Sequence, residues 1–285
     1  MPNNNGGFAG LHVAAFESRR AIEVERMLTQ AGAIASVSPS MREIPLAGDD
    51  RVVRYARQLV AGEFDVVILM TGVGLRLLVD AIEDPIGREP FLRALASCIT
   101  IARGPKPTAA LKDWGLRPTH QVPEPNTWRE ILALIDAHVP VAAVPVAIQE
   151  YGIPNQDLVA GLEGRGATVT SAPIYRWGLP TDTAPLEANV RRIANGQIDV
   201  VLFTSSQQLV HLLTLASQLG LEEEVRRELR RTVIASIGPT TSATLRRENL
   251  PVDLEPEHPK LGHLIRAAAE QAPALVRRER GSGNA

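Results

Sequence analysis

One constraint outweighs the others in this sequence: it says nearly the same thing twice, at an offset of 134 positions. Gly32 in Ala-Gly-Ala pairs with Gly166 in Arg-Gly-Ala. Asp65, opening DVVILM, pairs with Asp199, opening DVVLFT. Gly104 in ARGPKPTAAL pairs with Gly238 in SIGPTTSATL, and Leu111 pairs with Leu245. Landmarks held in one register across three different motifs identify a duplicated half. Taken alone, a duplicated α/β half suggests two similar lobes with a cleft that a ligand can occupy.

At 285 residues with 45% apolar content, the chain has room for two domains. Its net charge of −2 and pI near 6.3 argue against nucleic acid or a membrane surface as partner. Lysine occurs only at 106, 112 and 260. The arginine bias suits carboxylates, although genomic composition explains it more simply. Cys98 is the single cysteine; it cannot form an internal disulfide and reads as a buried, inert thiol. No run reaches ~18 apolar residues, and the start MPNNNGGFAG lacks the pattern of a signal peptide. A soluble, cytoplasmic chain is expected. Residues 1–8 and the tail RRERGSGNA read as disordered.

Each copy reads as alternating strands and helices. In the first, strands fall at 11–16, 34–37, 65–70 and 99–102, with helices at 20–30, 52–60, 75–81 and 108–114. In the second, strands fall at 141–144, 168–171, 200–203 and 233–236, with helices at 155–163, 187–194, 207–215 and 241–248. The continuous apolar runs suit strands buried on both faces, and the alternation calls for parallel sheets covered by helices. Two Pro-bounded stretches, SPSMREIPL (38–46) and SAPIYRWGLP (171–180), occupy equivalent places and read as extended.

In open parallel sheets, ligands bind beyond the carboxyl ends of the strands, where loops enter helix N-termini. Thr204, Ser205 and Ser206, backed by Gln207 and Gln208, lie at such an edge and offer hydroxyls and amides to a carboxylate or phosphate. Ordinary N-capping, which needs one hydroxyl, is the plainer alternative. Gly238, Pro239, Thr240 and Thr241 have the same placement and the same two readings. The first-copy counterparts, Thr71-Gly72-Val73-Gly74 and Gly104-Pro105-Lys106-Pro107, have fewer hydroxyls. Neither has P-loop spacing, and the former is only part of a G-x-G-x-x-G fingerprint. The six histidines lack metal-ligand spacing and read as surface or capping residues. Tyr175 sits in a connector, where an aromatic packs or, at a cleft, donates a hydrogen bond or a proton. Arg19 follows the first strand at the ligand edge; a solvated helix start is the alternative.

The segments DVVLFTSSQQLVHLL, ASIGPTTSATLRRENLPVDLEPEHPKLGHLI, GRGATVTSAPIYRW and ARGPKPTAALKDWGL, in this order and spacing, resemble the uroporphyrinogen-III synthase family over roughly residues 10–270. The resemblance implies an α/β fold of two flavodoxin-like lobes with parallel sheets, joined by two extended connecting strands. The chain would cross between lobes twice, so the repeat is not the domain. Residues 1–40 and 180–285 would form one lobe and 47–172 the other, with 41–46 and 173–179 as connectors.

The implied reaction converts hydroxymethylbilane to uroporphyrinogen III, with inversion of ring D and loss of water. No cofactor or metal is implied, and the chain would act as a monomer. Loss of hydroxide gives an azafulvene cation, and closure through a spiro intermediate follows. Positioning of the flexible substrate then carries the catalysis. By position, Tyr175 matches the family's cleft tyrosine, Thr241 the Thr of its G-x-x-T turn, and Ser205 and Ser206 its second Thr-Ser loop. The chain also departs from the pattern. Gly72 replaces the usual Ser, Pro107 stands where the first turn would have Thr, and Phe16-Glu17-Ser18-Arg19 replaces Thr-Arg-Pro. The first-lobe loops would therefore bind through amides. A sensor module of the same fold, without catalysis, is the competing reading.

Overall fold

The computed structural model describes residues 7–46, 49–150, 152 and 154–282. In chain order its elements are β1 (His12–Ala15), α1 (Ala21–Gln30), β2 (Ile34–Val37), β3 (Arg42–Pro45), α2 (Asp50–Val60), β4 (Val66–Leu69), α3 (Gly72–Ala81) and α4 (Arg88–Ser97). Next come β5 (Ile99–Ala102), α5 (Pro105–Asp113), β6 (His120–Gln121), α6 (Trp128–His138), β7 (Pro145–Glu150), α7 (Gln156–Glu163), β8 (Thr168–Pro173) and β9 (Tyr175–Gly178). The chain ends with α8 (Ala184–Ala194), β10 (Val200–Phe203), α9 (Ser206–Gln218), α10 (Glu222–Leu229), β11 (Val233–Ser236), α11 (Pro239–Arg247) and α12 (Leu261–Ser282).

The chain divides into two compact units, Met1–Arg42 with Gly178–Ala285 and Glu43–Trp177. In the first, four parallel strands are ordered β11-β10-β1-β2. Successive side chains of a strand point to opposite faces, and the cores follow that rule. Ala14, Val201, Phe203 and Ile234 join one cluster, covered by α8 to α11. Val13, Ala15, Val200, Leu202 and Val233 join the other, covered by α1 and α12. In the second unit five parallel strands are ordered β6-β5-β4-β7-β8. Val67 and Leu69 face α2 to α5, whereas Val66, Ile68 and Ile101 face α6 and α7. Each sheet takes strands from both copies of the repeat, so a lobe is built from half of each. β3 and β9, within the two Pro-bounded stretches, form a separate two-stranded sheet.

Several sequence expectations need correction. The strand expected at 141–144 lies at Pro145–Glu150 instead. Ala143 takes a left-handed conformation with φ 61°, which breaks the chain there, and Pro145 opens the strand, a position that needs no ladder donor. Four helices (α4, α6, α10 and α12) and the short β6 were not anticipated. α10 shows why: EEEVRREL buries only Val225 and Leu229, too thin a stripe to stand out. Phe8 is buried, with its N–H bonded to Ala31 O at 2.8 Å, and residues 277–282 are helical; neither segment is the disordered end expected. Residues 1–6 and 283–285 lie outside the described residues. Among the described residues no helix is long and apolar enough to cross a membrane.

Candidate functional site

In the first unit the carboxyl ends of β1, β10 and β11 sit side by side, because Ala15 is in register with Leu202 and Phe203 with Ser236. The turns that follow open α1, α9 and α11. Ser205 is the N-cap of α9, accepting from Gln207 N at 3.3 Å. Thr204 is held on two sides by buried Gln208: its N–H donates to Gln208 Oε1 (2.7 Å), and its hydroxyl accepts from Gln208 Nε2 (2.7 Å). The Thr204 hydroxyl proton therefore goes elsewhere, to Glu17 Oε2 at 2.9 Å. Glu17 lies in the turn after β1 and is half-buried. Thr204, Ser205 and Ser206 are half-buried and Gln207 is nearly covered. N–H groups of the first helical turn lack intrahelical partners, so amide donors remain at this edge.

At α11, Gly238 is buried while Pro239 and Thr240 are exposed. Thr241 is 3% exposed, so its side chain is packed in rather than presented. Ser242 is engaged with Glu255 and with Ser236, the latter at 2.8 Å. Arg19 is exposed in the β1–α1 turn. Ser18 ties that turn to the chain after β2, its Oγ accepting from Ser40 N (3.2 Å) and Met41 N (3.1 Å). Ser40 in turn donates its hydroxyl to Phe16 O at 2.8 Å and receives His211 Nδ1 on its carbonyl at 2.7 Å. His211 is buried, which corrects the expectation of a surface or capping histidine. Burial pushes its imidazolium pKa down, against the pull of the Ser40 carbonyl.

The second unit builds the same turn from different parts. Thr71 caps α3, its Oγ1 accepting from Gly74 N at 3.0 Å. Its own N–H donates to Oε1 of fully buried Gln149 at 3.2 Å. Gly74 makes room for that carboxamide: a Cβ there would come within 2.2 Å of Gln149 Nε2. Gly72 is buried, and a Cβ on it would lie 2.4 Å from Lys106 O. Its departure from the expected Ser is thus a matter of close helix packing. Val73 packs on the core. A Cβ on Gly104 would lie 2.8 Å from the Asn126 amide, so α5 also starts tightly covered.

The strand registers make Glu17 and Glu150 equivalent. Val13 pairs with Val200 and Val146 with Val66, matched positions of the repeat, and the glutamate lies four residues on in each case. Glu150 is 0% exposed; it accepts from Asn155 N at 3.4 Å and from Ser171 Oγ at 3.0 Å. Glu17 and Glu150, with Gln149, Ser18 and Ser40, escaped the sequence reading because their partners are remote in sequence.

Tyr175 belongs to β9 and lies inside an apolar cluster of the second unit, 1% exposed, edge-on to Trp177 at 5.2 Å. Cys98 is half-buried, its thiol directed at Phe64 O (3.2 Å) and pushed up in pKa by burial. Among the described residues no three His, Cys, Asp or Glu side chains gather as a metal-binding group.

A family model described as "Uroporphyrinogen-III synthase HemD" matches residues 23–266. The Bacillus subtilis protein "Uncharacterized protein YjjA" is 30% identical over 260 residues, 91% of this chain and 95% of that protein. Among solved structures, a mutant uroporphyrinogen III synthase of Thermus thermophilus aligns with TM-score 0.66 and 23% identity, over 96% of this chain and 100% of that one. A Helicobacter pylori uroporphyrinogen-III synthetase aligns with TM-score 0.52 and 14% identity, over 90% and 98%. These structural likenesses speak for the fold. With the family model spanning most of its length, the chain belongs to the uroporphyrinogen-III synthase family.

Proposed function

We propose that this chain is a uroporphyrinogen-III synthase, closing hydroxymethylbilane with inversion of ring D and loss of water. The observation that carries the reading is the family match across residues 23–266 on a chain whose strand-end turns open three helices along one sheet edge. Helix N-termini favour negative charge by ~0.3–1 kcal/mol each at exposed sites. Holding a substrate with several carboxylates is therefore a task for many weak contacts. In this reading Ser205, Ser206, Gln207, Gly238, Pro239, Thr240 and Arg19 serve the substrate in one unit, Thr204 and Thr241 shape the turns from within, and Thr71, Gly72, Val73 and Gly104 serve the substrate mainly through backbone groups in the other. Residues 41–46 and 173–179 are the connectors, and the protein works as a cytoplasmic monomer. Tyr175 assists departure of hydroxide, which requires the segment around Trp177 to uncover its ring.

The test is direct: pure protein is incubated with enzymatically generated hydroxymethylbilane, and type I and type III isomers are resolved. Type III product above the spontaneous background is expected. Only type I product, at the spontaneous rate, removes the reading.

A further inference from the structure

We infer that Glu17 is a catalytic residue of this reaction: a fixed negative charge beside the carbon that becomes cationic as hydroxide leaves. The inference rests on the proposed function and deepens it.

Glu17 is not a cap. Ser205 already caps α9 with its own hydroxyl, and the bond that Glu17 makes is to the Thr204 side chain, through Oε2. Thr204 cannot turn away, because Gln208 holds both its N–H and its hydroxyl oxygen. The carboxylate is thus aimed by a two-residue clamp, and its Oε1 has no partner among the described residues. The nearby Arg20 gives its direct bonds to Glu23, with Nε 2.6 Å from Oε2, and acts on Glu17 only through space. Nor does the fold require an open carboxylate here. The equivalent Glu150 is fully covered and committed to Asn155 and Ser171. One position, used structurally in one unit, is left half-open in the other.

A carboxylate at this edge repels substrate acetates and propionates, so the group that belongs next to it is one that gains positive charge. The implied reaction generates one. The C–O bond breaks with its electron pair on oxygen, which takes a proton from solvent and leaves as water. The pyrrole nitrogen lone pair delocalises onto the methylene carbon, and the resulting cation lasts until the substituted carbon of the terminal ring supplies the pair for a C–C bond, giving the spiro intermediate. The bond from that carbon to its own bridging methylene then breaks, its pair returning to the terminal ring and leaving a second such cation, which the ring's unsubstituted carbon captures to close the inverted macrocycle. That carbon finally loses one proton to solvent, so one water is lost in total. A preorganised anion lowers the energy of the cation more than that of the neutral substrate, and such an interaction raises kcat.

The experiment compares wild type, Glu17→Gln and Glu17→Asp in the isomer-resolved assay, with thermal melting alongside. Glu17→Gln is expected to lower kcat about 30-fold, below the ~100-fold or more typical of a water-excluded electrostatic contact. KM is expected to stay level or fall, because a charge that repels the substrate's carboxylates is gone. Glu17→Asp, which withdraws the carboxylate by one methylene, should fall between the two. A folded Glu17→Gln protein with kcat within about twofold of wild type overturns the inference, as does a rise in KM alone. Should the Gln variant fail to fold, wild-type kcat in Glu17→Asp overturns it equally. Wild-type protein that makes only the type I isomer removes the proposed reaction and this role together.

Discussion

The two units solve one problem, presenting the turn between a buried strand and a helix, with opposite economies of space. In the first unit the helix supplies its own fixing group, Gln208, which reaches back to Thr204. In the second the fixing group, Gln149, comes from a neighbouring strand, and the helix has to be glycine at 74 to admit it. The first arrangement leaves hydroxyls and a carboxylate half-open at the edge; the second closes them off, with Gly72 against Lys106 O and Glu150 fully covered. Duplication supplied two equal turns. Packing has made one a surface with chemistry and the other a surface of backbone.

Exchanging residues between the turns tests this contrast. The largest effect is expected from Gly72→Ser, which installs the residue found at the matching Ser206. Its Cβ would meet a backbone carbonyl at 2.4 Å, and such overpacking costs about 3 kcal/mol; chemical denaturation should show it, and an unchanged midpoint would mean that α3 and α5 are not tightly held. Next, Gln149→Leu is expected to cost about 2 kcal/mol, since it leaves the Glu150 carbonyl as well as the half-buried Thr71 N–H without the carboxamide, whereas Gln208→Leu should cost about 1, since only half-buried Thr204 loses its partner. Equal losses would erase the distinction between the two turns.

A tenfold loss of turnover, about 1.4 kcal/mol, is expected for Tyr175→Phe if the buried ring is uncovered during turnover. Unchanged kcat with an intact melt would make Tyr175 a packing residue, as its burial in the second unit's core already permits.

The smallest effect concerns pH. His211 occupies the position of Leu77 in the other unit and is buried, with a pKa lowered by desolvation. A lowered folded pKa means that the unfolded chain binds the extra proton first. Stability is therefore full above about pH 6.5 and falls as pH drops below it. The loss should set in as pH falls below about 6.5 and be absent in His211→Leu. Asp253, raised by burial, gives the opposite slope at lower pH. It cancels when variant is subtracted from wild type, so a difference that stays flat between pH 7.5 and 5.5 would contradict the buried-histidine account.

Much of this molecule was legible in the residues. The strands at 200–203 and 233–236 fall where their runs place them, because a strand covered on both faces has to be largely apolar; those at 34–37 and 99–102 also fall as expected, although Ile34 and Ile99 are exposed. Helix starts carry local chemistry too: Thr71 and Ser205 cap their own helices, and that bond needs only neighbours in sequence. What escaped is non-local. Nothing near Thr204 announces Glu17, which lies 187 positions away, and nothing near Ser40 announces His211, 171 positions on. The strand at 145–150 was misplaced because VPVAAVPVAIQE is apolar for longer than one strand. The choice of residues is made by pairing opposite Val66–Leu69.

The sequence by itself determined the repeat, the alternation of strands and helices, and the turns rich in glycine and hydroxyls. All of these follow from periodicity and backbone preference within a few residues. Tertiary structure decided which strands share a sheet, so that β1 of one copy lies beside β10 of the other. It also decided which of two equivalent glutamates stays half-open. Those outcomes depend on what is packed against a residue, and closing a long loop costs little more than closing a short one. The contacts that matter can therefore be drawn from anywhere along the chain.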